Sequence, residues 1–462
     1  MKSFDLNSII FTEHTLAHDI LIGMNKTAHH TENKGFAIIV NEKNACVGVV
    51  TDGDLRNYLS QNSDLYIPIS EILNKNFVYA HPDEETNTIL RKFEKNILNL
   101  PILDKCLRPI GLLNYSKFSV FQRSREHIIR ARAPGRISFS GGGTDMSEIF
   151  GSAPTSVLST AIDKFCVTSL MSRDDDAVHI YSKDLNLRYS AENIDNIKWG
   201  DDLDLIKSAI KMMKPKIGFN IEISSEIEIG TGLGGSSAVV TSVLAALNEL
   251  NPIKMLDKYA ISDLAYQVER MEMKMAGGWQ DQYSSVFGGV NWIEFNQDDI
   301  LVNPLRIDRD TLLELHYNLM LFRVGASRKS SEIHQHIYAK KLTSVNREKF
   351  LRQMASNTKG IKKALLKGNV KEFGDYLHHS WMLKNTMNNN VSNKHINELY
   401  TIARDIGALG GKLLGAGRSG YLLLYASPLY QEKITEVFAE RGVYKQNFNF
   451  NPNGVEIWKV PK

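Results

Sequence analysis

Hydrophobic and polar positions alternate along residues 217–229, and the β-branched residues among them predict a strand. The run Gly-Thr-Gly-Leu-Gly-Gly-Ser-Ser-Ala follows at residues 230–238. Residues 239–250 then carry an apolar stripe at helical spacing, with no glycine or proline to interrupt it. A second amphipathic helical pattern covers residues 259–274. The pattern therefore predicts a strand, a glycine-rich turn and two helices in direct succession.

The glycine-rich turn is the first candidate for chemistry. A turn of this kind at the start of a helix exposes backbone N–H groups, and the helix dipole favours an anion there. Ser236 and Ser237 can cap the helix or place a hydroxyl on a metal or phosphate. Gly230, Gly232 and Gly235 match G-x-G-x-x-G, but no second strand follows the helix as a dinucleotide fold requires. No Lys-Ser/Thr pair completes a Walker loop, and a simple capped turn would need fewer glycines, so we favour phosphate binding.

Composition limits the classes of partner. A chain of 462 residues exceeds one compact core, so two or three domains are expected. The net charge is only +3, with both signs interspersed, and favours neither nucleic acid nor a membrane surface as a partner. Cys46, Cys106 and Cys166 lie far apart without metal-ligand spacing, which indicates buried thiols in a reducing compartment. No apolar run approaches a membrane span and no signal pattern opens the chain, so we expect a cytoplasmic protein.

The first 120 residues contain a degenerate repeat of about half that length. Apolar runs between turn residues predict four strands and one helix, at 35–41, 46–51, 100–104, 109–113 and 52–59. The run Gly-Val-Val-Thr-Asp-Gly-Asp-Leu-Arg at 48–56 resembles the cystathionine-β-synthase (CBS) domain family, and a CBS pair is implied. By that resemblance, Thr51 and Asp54 would hold the ribose of an adenine nucleotide.

The second copy departs from the CBS pattern. Asn114 and Lys117 stand where the hydroxyl and the acid are expected. At most one competent site for an adenine nucleotide or a nucleotide-sugar is therefore expected. A pair that binds no ligand and only assembles the chain, for example as a homodimer, stays an open alternative.

A second domain is predicted after the polar run at 121–126, opening with a strand at 128–133. The run Ala-Pro-Gly-Arg-Ile-Ser-Phe-Ser-Gly-Gly-Gly-Thr-Asp follows at 133–145. Three consecutive glycines after a strand indicate close backbone approach or positive φ. This run resembles the first motif of the GHMP kinases, the family of galactokinase, homoserine kinase and mevalonate kinase.

That resemblance implies roles for individual residues. Arg136 would pair with the catalytic carboxylate, and Asp145 would bind sugar hydroxyls. The loop before Asp145 would line the substrate pocket through Gly142, Gly143 and Thr144.

The glycine-rich turn itself resembles the GHMP phosphate loop, in which Gly235 replaces the usual first serine. The implied ATP-binding residues are Gly230, Thr231, Gly232, Leu233, Gly234, Gly235, Ser236 and Ser237. The run Gly-Gly-Trp-Gln-Asp-Gln at 277–282 resembles the family segment that carries the catalytic aspartate, here Asp281. Glu269, twelve positions earlier, matches the glutamate that binds Mg²⁺ together with Ser236.

The run Gly-Gly-Lys-Leu-Leu-Gly-Ala-Gly-Arg-Ser-Gly at 410–420 resembles the third GHMP motif. By that resemblance, Gly415, Ala416 and Gly417 would line the substrate site. Arg418 and Ser419 replace two of the usual glycines. If the substrate already carries a phosphate group of its own, that group needs cationic partners, and these are expected at Arg328, Lys329 and Lys384.

Taken together, the motifs resemble the bacterial heptose-phosphate kinases within the GHMP family. The implied fold is a multidomain α/β and α+β chain. It comprises a CBS pair at 1–125, a ribosomal protein S5 domain 2-like lobe at 126–315 and a ferredoxin-like lobe at 316–462. The implied reaction is transfer of phosphate from ATP, with Mg²⁺, to the anomeric hydroxyl of a phosphosugar such as D-glycero-D-manno-heptose 7-phosphate, in the synthesis of nucleotide-activated heptose and surface polysaccharide. A kinase for an unphosphorylated sugar such as fucose, or one of another GHMP branch, is the alternative.

Overall fold

The computed structural model describes residues 6–28, 35–62, 64–82, 84, 86–93, 97–115, 127–250, 255–325, 344–387, 391–415, 417 and 419–462. The chain forms two compact units, residues 1–123 and 124–462.

The first unit contains two small sheets. The strands of the first are β1 (Ile10–Thr12), β2 (Phe36–Val40) and β3 (Cys46–Thr51); β2 lies in the middle, parallel to β1 and antiparallel to β3. The second sheet pairs β4 (Asn99–Leu103) with β5 (Pro109–Asn114) in antiparallel fashion. The helices are α1 (Ala17–Ala28), α2 (Asp52–Leu59) and α3 (Thr86–Phe93), with 3₁₀ turns at Leu6–Ile9 and Ile69–Glu71. The four predicted strands and the helix at 52–59 are thus present. Cys46 is buried as predicted, whereas the prediction for Cys106 is wrong: it is exposed, because it lies in the turn between β4 and β5.

Strand β2 is buried on both faces because its alternating side chains enter two separate cores. Ala37 and Ile39 pack in a cluster with residues of α1 and α2. Phe36, Ile38 and Val40 point the other way, into a cluster that includes Leu103 of β4. This arrangement explains why β2 is a continuous apolar run without polar alternation.

The second unit begins with an eight-stranded sheet. Its strands are β6 (His127–Ser140), β7 (Thr155–Ser172), β8 (Val178–Ser182), β9 (Leu187–Ala191), β10 (Phe219–Ser225), β11 (Val290–Phe295), β12 (Ile300–Pro304) and β17 (Glu456–Pro461). The order is β12-β11-β7-β10-β8-β9, and β6 pairs with both β7 and β17. The long strand β7 pairs first with β11 and then, nearer its end, with β10. The last strand of the chain therefore belongs to this sheet.

Helices pack around this sheet and lead into the rest of the unit. They are α4 (Ser147–Phe150), α5 (Asp204–Met213), α6 (Gly235–Asn248), α7 (Lys258–Tyr266), α8 (Gln280–Phe287) and α9 (Arg309–Asn318), with a 3₁₀ turn at Ile194–Asn196 and a π-helical segment at Gln267–Glu272. Helix α6 is buried at almost every position, as expected for a helix that is apolar all round.

Three predicted elements differ from the structure by more than two residues at one end. The strand predicted at 128–133 continues to Ser140 as β6, because β7 pairs with it over that length. The strand predicted at 217–229 ends at Ser225. The N–H of Glu226 still donates to the carbonyl of Phe165, but the N–H of Phe165 donates to the Glu226 side chain at 2.9 Å, which takes the place of the return bond to the Glu226 carbonyl. The helix predicted at 239–250 already begins at Gly235, which places Ser236 and Ser237 in its first turn. The helix predicted at 259–274 is α7, continued by the π-helical segment.

The remaining strands form a four-stranded antiparallel sheet. They are β13 (Leu319–Val324), β14 (Ala408–Leu413), β15 (Gly420–Ala426) and β16 (Lys445–Gln446), in the order β14-β15-β13-β16. The helices α10 (Ser344–Leu366), α11 (Val370–Met387) and α12 (Lys394–Ile406) separate the first two strands, and α13 (Pro428–Ala439) separates the last two. This order is that of a ferredoxin-like sheet and confirms the predicted fold class.

One core joins the two sheets of this unit. Its buried side chains include Phe139 of β6, Leu244 of α6, Leu377 of α11 and Leu423 of β15. Motifs far apart in sequence are therefore held on one packed scaffold.

Candidate active site

The phosphate loop has the backbone that an anion site requires. Gly230, Gly232 and Gly234 adopt φ values of 83°, 85° and 76°, in the left-handed region that favours glycine. A positive φ at every second residue is typical of the backbone nests that bind anions. Gly234 is the N-cap of α6, and no side chain caps this helix. The first N–H groups of α6 can therefore bind an anion.

The backbone of the third motif, at Leu414 and Gly415, lies directly against the backbone of the phosphate loop at Gly232. A Cβ atom on Gly232 would lie 2.5 Å from the carbonyl oxygen of Leu414, and one on Gly415 would lie 2.4 Å from the Cα of Gly232. Neither position can carry a side chain without separating the two loops. Gly417 lies in the same turn, whereas Ala416 and Arg418 are outside the described residues.

Arg136 and Asp281 form a two-pronged ion pair. Nε and Nη2 of Arg136 donate to Oδ1 and Oδ2 of Asp281 at 2.8 and 2.7 Å. Nη1 donates to the carbonyl of Gly232 at 2.5 Å, and the backbone N–H of Arg136 donates to Leu233 at 2.8 Å. Arg136 is only 3% exposed, while the side chain of Asp281 is 19% exposed. Arg136 thus fixes Asp281 beside the phosphate loop and leaves part of its carboxylate accessible.

Glu269 joins the loop serines. Its Oε1 accepts from Ser236 Oγ at 2.5 Å and its Oε2 accepts from Ser237 Oγ at 2.6 Å. The side-chain amide of Gln282 also donates to Oε2, and Arg270 lies 3.8 Å from Oε1. Glu269 is fully buried on the π-helical segment, a feature frequent at functional sites.

The Ser236–Glu269 cluster fits a magnesium ion. Hydroxyl and carboxylate oxygens are hard ligands, and Mg²⁺ is usually held by one or two carboxylates together with substrate phosphates. Among the described residues, no group of three or more His, Cys, Asp or Glu side chains could hold a metal by itself. Oxygens of a nucleotide phosphate bound at the glycine-rich loop would complete the coordination of the ion.

Asp145 connects the predicted substrate loop to the helix of Asp281. Its Oδ1 accepts from the N–H of Gly143 at 2.8 Å, and its Oδ2 accepts from the N–H of Gln280 at 3.0 Å. Burial raises the pKa of Asp145, and the charge of Asp281 adds to the rise. Thr144 closes the loop by donating to Gly141 at 2.8 Å, and Gly142 lies next to Gln280. The predicted contact of Asp145 with sugar hydroxyls stays a prediction, since both oxygens already hold backbone N–H groups.

A buried polar cluster anchors the strand end before this loop. Ser140 Oγ shares a 2.8 Å hydrogen bond with Thr358 of α10 and accepts one of 2.8 Å from Ser380 of α11. Asn357 donates to Ser380 at 2.6 Å. Because all these groups are buried and satisfied, they hold the loop against the two helices with defined geometry.

Lys384 lies in the same region. Its Nζ donates to the carbonyl of Gly415 at 2.5 Å, and the residue is 8% exposed. Burial lowers the pKa of Lys384 to about 8, helped by Arg136 and partly opposed by Asp145 and Asp281. The structure thus brings Lys384 near Arg136, Asp145 and Asp281. The other two predicted phosphate-binding cations, Arg328 and Lys329, lie outside the described residues.

Sequence reasoning missed three residues of this site. Gln282 and Arg270 complete the surroundings of Glu269. Lys412, 4% exposed on β14, donates to the carbonyl of Phe139 at 3.3 Å. The signal for Lys412 was available, since a lysine inside the otherwise apolar run Gly-Gly-Lys-Leu-Leu is unusual for a buried strand.

In the first unit, Thr51 and Asp54 bind each other. Thr51 Oγ1 donates to Asp54 Oδ2 at 2.7 Å and accepts from the Asp54 N–H at 3.2 Å, while the Thr51 N–H donates to Asp54 Oδ2 at 2.8 Å. This is a capping box at the start of α2. Helix capping alone accounts for both residues, and their role toward a ligand stays a prediction. Asn114 ends β5, and Lys117 lies outside the described residues.

Family profiles match three parts of the chain: "GHMP kinases N terminal domain" at residues 204–289, "GHMP kinases C terminal" at 361–443 and "CBS domain" at 69–118. The D-glycero-alpha-D-manno-heptose 7-phosphate kinase of Campylobacter jejuni is 30% identical over 341 residues, which are 72% of this chain and 99% of that protein. The chain belongs to the GHMP kinase family. It also carries an N-terminal CBS domain, and the predicted pair of CBS copies stays a prediction.

Two further relatives bear on this GHMP kinase. The solved structure of a D-glycero-D-manno-heptose 1-phosphate kinase from Bacteroides thetaiotaomicron is 25% identical, with a TM-score of 0.60, and covers 72% of this chain and 100% of that one. The L-fucokinase/L-fucose-1-P guanylyltransferase of Bacteroides fragilis is 28% identical over 229 residues, 48% of this chain and 24% of that protein. Within the described ranges, no helix has the length and apolar character needed to cross a membrane.

The cluster around Glu269 yields a metal-dependence prediction. We expect Glu269→Gln to raise the Mg²⁺ concentration for half-maximal phosphoryl transfer at least about tenfold, because a charged oxygen ligand becomes a neutral amide. Mn²⁺ binding with nucleotide present, followed by electron paramagnetic resonance, should weaken in parallel. The matched control is Glu272→Gln, an exposed glutamate of the same segment. An unchanged metal requirement in Glu269→Gln would rule out Glu269 as a ligand.

Proposed function

We propose that this protein is an ATP-dependent kinase that phosphorylates the anomeric hydroxyl of a phosphosugar, with D-glycero-D-manno-heptose 7-phosphate as the favoured substrate. The observation that carries the proposal is the buried two-pronged pair of Arg136 and Asp281 beside the phosphate loop. Phosphoryl transfer depends on positioning and on charge neutralisation more than on covalent chemistry. A fixed carboxylate between an anion-binding loop and a substrate loop supports that reaction.

Each residue of the site would have a separate role in this reaction. The N–H groups of residues 230–237 would bind the triphosphate. Ser236 and Glu269 would hold Mg²⁺, which would neutralise phosphate charge. Asp281 accepts the proton of the attacking sugar hydroxyl. Arg136 holds Asp281 in place and lies where negative charge develops on the transferred group. Asp145 keeps the substrate loop and the first turn of α8 in register.

The identity of the sugar rests on two supports. One is the similarity to the Campylobacter jejuni heptose 7-phosphate kinase over nearly the whole of that protein. The other is a buried cation, Lys384, next to the catalytic pair, where a second phosphate would need one. Arg328 and Lys329 are proposed to assist on sequence grounds alone. The product would serve the synthesis of nucleotide-activated heptose and surface polysaccharide, in a cytoplasmic compartment consistent with three free cysteines.

A kinase for an unphosphorylated sugar is the second candidate, because half of the chain is similar to an L-fucokinase. The two candidates predict opposite substrate preferences. Measuring ADP release with heptose 7-phosphate, free heptose and free fucose should show turnover mainly with the phosphosugar. We expect Lys384→Met to raise the KM for the phosphosugar by about 10- to 100-fold, the range for a lost charge-assisted hydrogen bond. Better turnover of a free sugar would refute the phosphosugar assignment.

For the first unit we propose a regulatory site for an adenine nucleotide or nucleotide-sugar at Thr51 and Asp54, in a chain that can form a homodimer. The capping box supports it only in part, since it shows that both side chains sit together at a helix N-terminus. Assembly without ligand sensing is the alternative.

Calorimetry on the full chain separates sensing from assembly. AMP and nucleotide-sugars are suitable probes, because ATP would also occupy the kinase site. We expect one of them to bind the parent protein and Asp64→Asn, an exposed control, but to bind Asp54→Asn much more weakly. The same compound should change the kinase kcat or KM, because regulation requires different affinities for two states. No binding across the series, or binding without a kinetic effect, would exclude regulation.

A further inference from the structure

Two buried lysines differ from the other buried charged side chains. In the part of the chain that the structure describes, six charged side chains are buried: Arg136, Asp145, Lys207, Glu269, Lys384 and Lys412. Four have clear compensation. Arg136 pairs with Asp281, Lys207 with Asp201 and Asp204, and Glu269 with Arg270, while Asp145 accepts two backbone N–H groups.

Lys384 and Lys412 lack such compensation. Within the described ranges, no carboxylate oxygen lies within 4.0 Å of either ammonium nitrogen. Each ammonium group donates to one carbonyl, that of Gly415 at 2.5 Å for Lys384 and that of Phe139 at 3.3 Å for Lys412. An ammonium group has three N–H donors, so two on each lysine find no acceptor among these residues. Burying an unpaired charge is costly, and such a group calls for an anion.

The two lysines are neighbours although they come from different elements. Lys384 is on α11 and Lys412 is on β14, which pack against each other. Burial lowers the pKa of Lys412 well below its ordinary value, and the charges of Lys384 and Arg136 add to that effect. Two like charges in one buried place indicate a site for a group with two negative charges.

The position of the pair points to the sugar and not to the nucleotide. The charges of Arg136, Asp145 and Asp281 act on Lys384, so Lys384 lies near the carboxylate that is proposed to face the sugar hydroxyl. Lys412 contacts Phe139, two residues before the loop that is predicted to line the sugar pocket. The nucleotide phosphates already have the N–H groups of the glycine loop and the Ser236–Glu269 cluster.

We propose that Lys384 and Lys412 together bind the phosphate group of the sugar substrate, and that Lys412 is a specificity-determining residue of this kinase. The inference rests on the proposed function and adds a second, previously unassigned cation to it. Two ammonium point charges match a phosphate dianion, and each has free N–H donors to offer it.

The proposal has a consequence for pH. A bound dianion favours the charged lysines, so their pKa values are higher in the complex than in the free protein. Binding then takes up protons, and affinity is greatest below the free pKa of Lys384, about 8, and falls as the pH rises above it. The phosphate is a dianion from about pH 7 upward, since its second pKa is about 6, so the fall in affinity above about pH 8 comes from the lysines.

Two titratable groups on the neighbouring helices, which are hydrogen-bonded to each other, do not interfere with this pH range. His378 on α11 has a pKa lowered by burial, so it is neutral above neutral pH. Tyr400 on α12 has a pKa raised by burial to about 12, so it also stays neutral. The charged groups that act on Lys384 are Arg136, Asp145 and Asp281.

Lys412→Met is the decisive variant, because methionine keeps the length of the side chain without the charge. We expect its KM for heptose 7-phosphate to rise about 10- to 100-fold. The KM for ATP should not change, and the melting temperature of the unliganded protein should be equal or higher, since an unpaired buried charge is removed. The matched control is Lys207→Met, which leaves Asp201 and Asp204 without their buried cation. It should lower the melting temperature and leave the KM for the phosphosugar unchanged.

Calorimetry gives an independent readout. Titration of heptose 7-phosphate into the parent protein near pH 9, in buffers of different ionisation enthalpy, should show proton uptake that is reduced in Lys412→Met. If the parent uses heptose 7-phosphate but Lys412→Met has the same KM and proton uptake, the lysine site is wrong and the proposed function stands. A rise in the KM for ATP instead would assign the pair to the nucleotide and overturn the proposal. If the parent neither binds nor phosphorylates any phosphosugar, the proposed function fails first, and this inference fails with it.

Discussion

The geometry of the site depends on the contacts of the Arg136 guanidinium group. This group binds both oxygens of Asp281 and the carbonyl of Gly232 at once, and it is almost completely buried. Asp281 belongs to α8, Gly232 to the phosphate loop and Arg136 to β6, so one planar group fixes three elements relative to each other. Arginine is suited to this because its donors are held in a rigid fork, whereas a lysine could satisfy only one partner well.

Two further features of the site keep Arg136, Asp281 and Gly232 in contact: the close approach of two glycine-rich loops and the anchoring of the predicted substrate loop. The phosphate loop must approach the turn of the third motif closely, which is why glycines face each other at Gly232 and Gly415. The substrate loop is held from two sides, by Asp145 at the start of α8 and by Ser140 against α10 and α11. Buried polar contacts of this kind add modestly to stability but specify geometry, which phosphoryl transfer needs to within a fraction of an ångström.

Much of this was predictable from sequence because glycine motifs constrain the backbone locally. The strand, turn and helix around residues 217–250, the two-sheet kinase fold and the N-terminal strands followed from periodicity together with family resemblance. The pairing of Arg136 with Asp281, implied by the resemblance, is present in the structure. Less predictable were features that depend on contacts distant in sequence. The end of β10 at Ser225 depends on the side chain of Glu226, which accepts the N–H of Phe165, and the surroundings of Glu269 are completed by Gln282. For Thr51 and Asp54 the sequence pattern alone is ambiguous, because a ligand-binding motif and a helix capping box use the same residue types.

A double-mutant cycle on Arg136 and Asp281 tests the central claim most directly. The free energies would come from kcat/KM for the sugar substrate in the parent, Arg136→Met, Asp281→Asn and the double variant. Asp281→Asn alone should slow turnover by about 10²- to 10⁴-fold, as for a lost general base. If the pair acts as one unit, the double variant should be hardly slower than Asp281→Asn, because Arg136 would have lost the group it positions. Fully additive losses would show that the two residues act separately and would contradict this account of the site.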